Sequence, residues 1–156
     1  MFIYSFDYDE NIYIADINHT TLRNIKAKSR YIDHVENPDD LYLTIEQSCM
    51  NPHYDNLVYD PYRQVYYRIA QPKIKWDKGT NVQEFIDYGG KNFSIIILDN
   101  NFNVVGETMF PDNTYNPRAL FIREDGLYIS SSHFKNPDYS DDWFVFQRFD
   151  LVKQQL

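Results

Sequence analysis

Short apolar runs alternate with polar turns along the whole chain, and three stretches repeat one pattern. Residues 2–6 with 11–16, 57–60 with 64–68, and 119–123 with 126–130 each form an apolar run, a polar turn and a second run. Tyr13, Tyr66 and Tyr128 stand at the centres of those second runs. Runs of this length, rich in Val, Ile, Tyr and Phe and bounded by Asn, Asp, Pro and Gly, predict β-strands. A strand pair of this kind cannot bury its own apolar face, so its recurrence predicts stacked copies that share a core. The predicted fold class is all-β: about three blades of a β-propeller, with one short helix.

A propeller blade has four strands, from an inner strand by the channel to an outer one at the rim. The first unit, about residues 2–30, offers strands at 2–6, 11–16 and 21–28, with 2–6 innermost. The second, about 55–111, is complete, with strands at 57–60, 65–70, 93–98 and 104–110. The third, about 118–152, has strands at 119–123, 127–132 and 143–149, and too little chain after them for an outer strand. Asn37, Pro38, Asp39 and Asp40 make a good helix start, which predicts a helical insertion at about 38–50. Residues 71–91 and 133–142 read as long polar connections. The chain is thus expected to be a single partial propeller domain over residues 1–156. Three blades cannot close a ring where four to eight are usual, so self-association through open blade edges, or truncation from a longer propeller, is expected. The alternative fold that the same pattern allows is an antiparallel β-sandwich.

Composition narrows the function classes. The chain is 43% hydrophobic and 17% aromatic, with 14 Tyr and 11 Phe, which suits pleated, half-buried surfaces. Its net charge is −8 and its 15 basic residues are scattered. Nucleic-acid binding needs a basic stripe to neutralise phosphates, so no nucleic-acid partner is expected. Cys49 is the single cysteine, which rules out an intramolecular disulfide and the multi-cysteine metal spacings. No apolar run approaches the ~20 residues of a spanning helix, and the N-terminus lacks the pattern of a signal peptide.

The candidate chemistry is sparse. Asp7, Asp9 and Asn11 have the spacing that opens a calcium loop, but Ile12 and Asn18 stand where such a loop wants Gly and Glu, which favours a polar hairpin turn. His19, His34, His53 and His133 form no zinc spacing, and Gly-x-Ser-x-Gly is absent. No catalytic residue, metal site or cofactor is therefore assigned. The candidate ligand-binding residues are Tyr66, Arg68, His133 and Trp76. Alternation sends Tyr66 and Arg68 to one sheet face and Tyr67 to the other. A cation between aromatics can grip a carboxylate or a planar ligand, or can pair with an acid between blades. His133 and Trp76 sit in the two long connections, where function concentrates.

Residues 53–68, the run from Phe93 to Glu107, the segment 125–129 and the run Phe146-Gln147-Arg148-Phe149 resemble a bacterial envelope family known as domain of unknown function 4221. The resemblance covers about residues 31–152 and matches the C-terminal part of the family. It implies a six-bladed, TolB-like propeller from Bacteroides-type bacteria, in the periplasm or on an outer-membrane lipoprotein. It carries over no catalytic residues. The expected function is a non-enzymatic binding module whose loops present a polar face to a protein, peptide or glycan. The alternatives are a propeller hydrolase or lyase with a central-channel site around Asp60 and Arg123, or a truncated remnant without independent function.

Overall fold

The computed structural model describes residues 1–36, 44, 49–75, 81–83, 87 and 92–152. Among them run ten strands: β1 (Phe2–Ser5), β2 (Asn11–Ala15), β3 (Leu22–Lys26), β4 (His53–Asp60), β5 (Val65–Gln71), β6 (Ser94–Leu98), β7 (Val104–Met109), β8 (Asn116–Arg123), β9 (Gly126–Ser130) and β10 (Phe146–Phe149). They form three antiparallel sheets, ordered β1-β2-β3, β4-β5-β6-β7 and β10-β9-β8. The all-β expectation holds. The helix predicted at 38–50 falls almost wholly outside the described residues, and only 49–50 at its end are described as helical.

The four-stranded sheet is the middle layer. Every residue of β5 is buried, because alternate side chains enter different cores. Tyr66 and Ala70 join Ile96, Leu98 and Phe102 against Ile12, Ile14 and Ala27 of the first sheet. Val65, Tyr67 and Ile69 join Phe93, Ile95 and Phe110 against Leu127 and Ile129 of the third. A strand covered on both faces reads as a continuous apolar run rather than an alternating one, as β5 and β6 do. Pro117 lies on edge strand β8, inside a register shift between Asn116 and Leu120, where its missing N–H costs the ladder nothing.

Arginines tie the layers together. Arg68 is fully buried and reaches from β5 into the first sheet. It donates through Nε to Ser5 Oγ (3.1 Å), through Nη1 to the carbonyls of Glu10 (3.1 Å) and Ala27 (3.0 Å), and through Nη2 to the carbonyl of Asp9 (2.6 Å). Longer Nη2 contacts of 3.4 Å reach the carbonyls of Phe6 and Asn11. The Tyr54 ring lies under the guanidinium, 3.8 Å away. Among the described residues no carboxylate comes within ion-pair distance of Arg68, so the acid partner that the sequence suggested is replaced by backbone oxygens. On the opposite side Arg63 is held by Asp60 (2.7 Å) and donates to the carbonyls of Arg123 and Glu124, in the turn between β8 and β9.

Turn chemistry fixes how the sheets align. Asp16 accepts the backbone N–H groups of Asn18, Thr20 and Thr21 and leaves His19 at positive φ. Asp99 does the same for Asn101 and Asn103, with Phe102 at positive φ. The β2–β3 turn therefore has the construction of the β6–β7 turn. Arg23 lies over Phe102, and Glu107 of β7 accepts from Ser29 and Arg30 just beyond β3, so these hairpins stack on each other. The β2–β3 turn thus stacks on the β6–β7 turn, while β1 contacts β4 and the Asp7 carbonyl in the turn after β1 accepts the N–H of Tyr54 (2.7 Å). An apolar–turn–apolar signature is the same for any two consecutive strands, and only contacts between sheets reveal which pair it is.

Two outcomes follow from these interactions. Arg68→Met strands several buried carbonyls, so it lowers unfolding free energy by about 3–5 kcal/mol in urea titrations. Lys26→Met, which removes an exposed ion pair, costs about 0–1 kcal/mol. The second outcome concerns acid. Hydrogen bonds from Thr21 and Thr20 hold Asp16 below the ordinary carboxylate value, and those from Asn103 do so for Asp99. Burial pushes Glu10 up, but Lys28 and Lys26 outweigh it and the net shift is downward. Groups with a depressed folded-state pKa contribute stability above their unfolded pKa and lose it as pH falls through the folded one. The urea midpoint is therefore expected to be flat at neutral pH and to fall below about pH 4, and Asp16→Asn should shrink that fall.

Candidate functional site

The turn between β1 and β2 was the one place with a cation-loop spacing, and a cation does lie there: the guanidinium of Arg68. The Asp9 carboxylate accepts from the N–H and Nδ2 of Asn11 (both 2.8 Å) and from the Tyr13 hydroxyl (2.5 Å). Burial raises its pKa, but the bonds from Tyr13 and Asn11 outweigh that and hold it low. With the carboxylate turned to its own hairpin, the loop carbonyls are left to face inward. They take the guanidinium, whose five N–H groups are all committed inside the protein. Burial pulls the Arg68 pKa down to about 10, so the group stays charged at neutral pH. A cleft of about 500 Å³ opens over residues 5–9, but Arg68 has no donor left to offer it.

The other candidates lie apart from Arg68. Tyr66 is buried on the same face, between the rings of Tyr59 (4.7 Å) and Phe102 (4.9 Å). His133 is on the far side of the middle sheet, just after β9. Its Nδ1 accepts from the N–H of Lys135 (3.2 Å), its own N–H donates to the Ser131 carbonyl (2.9 Å), and its ring stacks on Phe134. Trp76 lies outside the described residues. Arg68 and His133 therefore do not share a pocket. Among the described residues no group of three or more His, Cys, Asp or Glu side chains is placed to hold a metal ion.

A polar cleft does form where β9 leaves its sheet. Ser132 donates its N–H to Ser130 Oγ (3.1 Å), and Ser132 Oγ accepts the N–H of Val145 (3.0 Å). Serine hydroxyls bonded to nearby backbone draw a chain out of a ladder. The strand expected at 127–132 accordingly ends at Ser130, and the one expected at 143–149 begins at Phe146. The connection folds back on itself, with Asn136 Nδ2 donating to the Ser131 carbonyl (3.0 Å). It walls two adjoining clefts of about 400 and 370 Å³ that share Ser132, Tyr139 and Ser140.

The floor of the larger cleft holds the buried polar side chains of Asn116 and Ser132. Its rim carries Asp141, Asp142 and Trp143, the last 74% exposed. Asn116 Nδ2 also donates to the carbonyl of Asp87, which brings the connection after β5 to the same cleft. Buried amide and hydroxyl groups under an exposed indole can hold a polar, partly planar ligand. Sequence reading singled out this connection through His133 but placed Trp143 in a strand. The signal available was the run of serines at 130–132, which favours a turn over a continued ladder.

The comparisons agree with this architecture. The profile of the family described as "Domain of unknown function (DUF4221)" matches residues 1–109, beginning ahead of the 31–152 stretch that carried the sequence resemblance. A crystal structure at 1.75 Å of a DUF4221 family member from Bacteroides vulgatus ATCC 8482 superposes with a TM-score of 0.76. Its sequence identity is 31%, over 93% of this chain and 40% of the relative, so the chain spans well under half of that relative's length. No curated protein matches. With a profile match over most of its length, and a solved member of the same family superposing on nearly all of it, this chain belongs to the DUF4221 family.

Proposed function

We propose that the three sheets are blades of a six-bladed, TolB-like propeller of the bacterial envelope, and that the protein is a non-enzymatic binding module. The ligand face is the end of the stack where β1 passes to β2, β5 to β6 and β9 to β10. The observation that carries the reading is the cleft beside β9, with Asn116 and Ser132 buried in its floor and Trp143 exposed at its rim. A propeller suits this use because its ladder-bound strands hold the connections rigidly and leave their side chains to contact a ligand.

The ligand classes that fit are glycans and polar peptides, since both offer hydroxyl or amide groups to the floor and a flat face to an indole. The test is a glycan and peptide array probed with the full chain, followed by titration of each hit. Trp143→Ala and Asn116→Ala should each weaken binding at least about tenfold, in line with the truncation of a central contact. Tyr62→Ala, in the turn between β4 and β5 at the opposite end, should leave it unchanged. Binding that responds equally to all three changes, or an array with no hits, would rule the cleft out.

A further inference from the structure

The floor of the cleft beside β9 holds hydrogen-bond donors that the protein itself does not use. Ser132 is 6% exposed, and its Oγ accepts the N–H of Val145 (3.0 Å). Its own O–H proton has no acceptor among the described residues. Asn116 is 7% exposed, and its Oδ1 accepts the N–H of Arg118 (3.0 Å). One of its two Nδ2 protons goes to the Asp87 carbonyl (3.3 Å), which leaves the other unspent. A buried donor without an acceptor costs free energy, and an oxygen of a ligand seated on the floor relieves that cost.

The rim holds charge that the protein does not neutralise. Asp138 lines the smaller cleft, and Asp141 and Asp142 line the larger. All three are exposed, and none is ion-paired among the described residues. Lys135, the closest lysine in sequence, lies over the Phe134 ring (5.1 Å). Among the described residues no Lys or Arg side chain lines either cleft.

We infer that the ligand is a basic peptide, a chain bearing Lys or Arg that lies across both clefts. The inference rests on the binding-module reading above and names the ligand class of that site. A peptide backbone supplies carbonyl oxygens to Ser132 and Asn116, and its cationic side chains supply the counter-charge for the three carboxylates. Trp143 follows Asp141 and Asp142 directly, and an indole face attracts a cation. The clefts share Ser132, Tyr139 and Ser140, so one extended chain reaches the acids of both. A neutral glycan would satisfy the floor and leave the rim without a counter-charge. An acidic ligand would be repelled.

The test is calorimetric titration of the full chain with hexalysine, with hexaglutamate and the neutral glycan maltohexaose as counter-probes. Hexalysine should bind, and more weakly as salt rises, because exposed charges are screened. A chain of net charge −8 attracts polycations over its whole surface, so two variants of equal net charge are compared. Asp141→Asn with Asp142→Asn removes charge from the rim. Asp33→Asn with Glu124→Gln removes as much from exposed positions elsewhere. The rim variant should bind hexalysine about three- to tenfold more weakly than wild type, and the control should stay within about twofold. Circular dichroism checks that both keep the β spectrum; if the rim variant loses it, Asp141→Asn alone takes its place. Equal losses in the two variants overturn the inference, as does a wild type that does not bind hexalysine or that binds either counter-probe more tightly. A neutral ligand whose binding needs Trp143 and Asn116 but not Asp141 and Asp142 would sink the basic peptide and leave the cleft standing.

Discussion

A buried cation held by backbone oxygens organises the packing of the sheets. Arg68 is sealed between two sheets, and desolvation of that charge is offset by carbonyls of the first sheet and the face of Tyr54. A buried aliphatic side chain contributes about 1.5–3 kcal/mol, but without direction. The guanidinium adds direction, because its planar fork is satisfied in one placement of the β1–β2 loop. That loop in turn presents its carbonyls because Asp9 is occupied with Asn11 and Tyr13. One interaction therefore fixes the loop conformation, the spacing of two sheets and the position of β1 beside the middle layer.

The junction with the third sheet works by related means. Asp60 is buried and accepts from Tyr62, Arg63 and Tyr67, while Arg63 extends to the carbonyls of the β8–β9 turn. Burial and the neighbouring Asp60 push the Tyr67 hydroxyl far up, so it remains a donor. Glu107 adds a second tie to the first sheet, taking both serine hydroxyls, Ser29 and Ser94, and the N–H of Arg30. Apolar layers between sheets can slide. Polar ties with fixed partners at each junction cannot, and they set the register at which aromatic faces are left outside.

The same geometry separates scaffold from site. Polar groups in the middle of strands are consumed by neighbouring sheets, and those in the connection after β9 are turned toward a cleft. Asn116 and Ser132 lie at strand ends, where the ladder no longer claims their side chains. That is why the functional reading rests on a connection and not on Arg68, although Arg68 is the more unusual residue in the sequence.

The secondary structure was legible in the sequence: the ten described strands, and the turns at Asp60, Asp99 and Gly126, are readable from alternation and turn chemistry, which act over a few residues. It also marked Arg68 as odd, since a charge inside an apolar run needs a partner. Which partner was left open, because carbonyls are present at every residue and carry no signature in composition. The tie of Glu107 to Ser29 and Arg30, far away in sequence, was equally hidden. So was the exposure of Trp143, whose apolar neighbours look like strand until the Ser130–Ser132 bonds pull them off the ladder. Local patterning decides which residues form strands. Which sheet face each one meets is settled by packing, because groups distant in sequence compete for the same carbonyls and the same apolar surface.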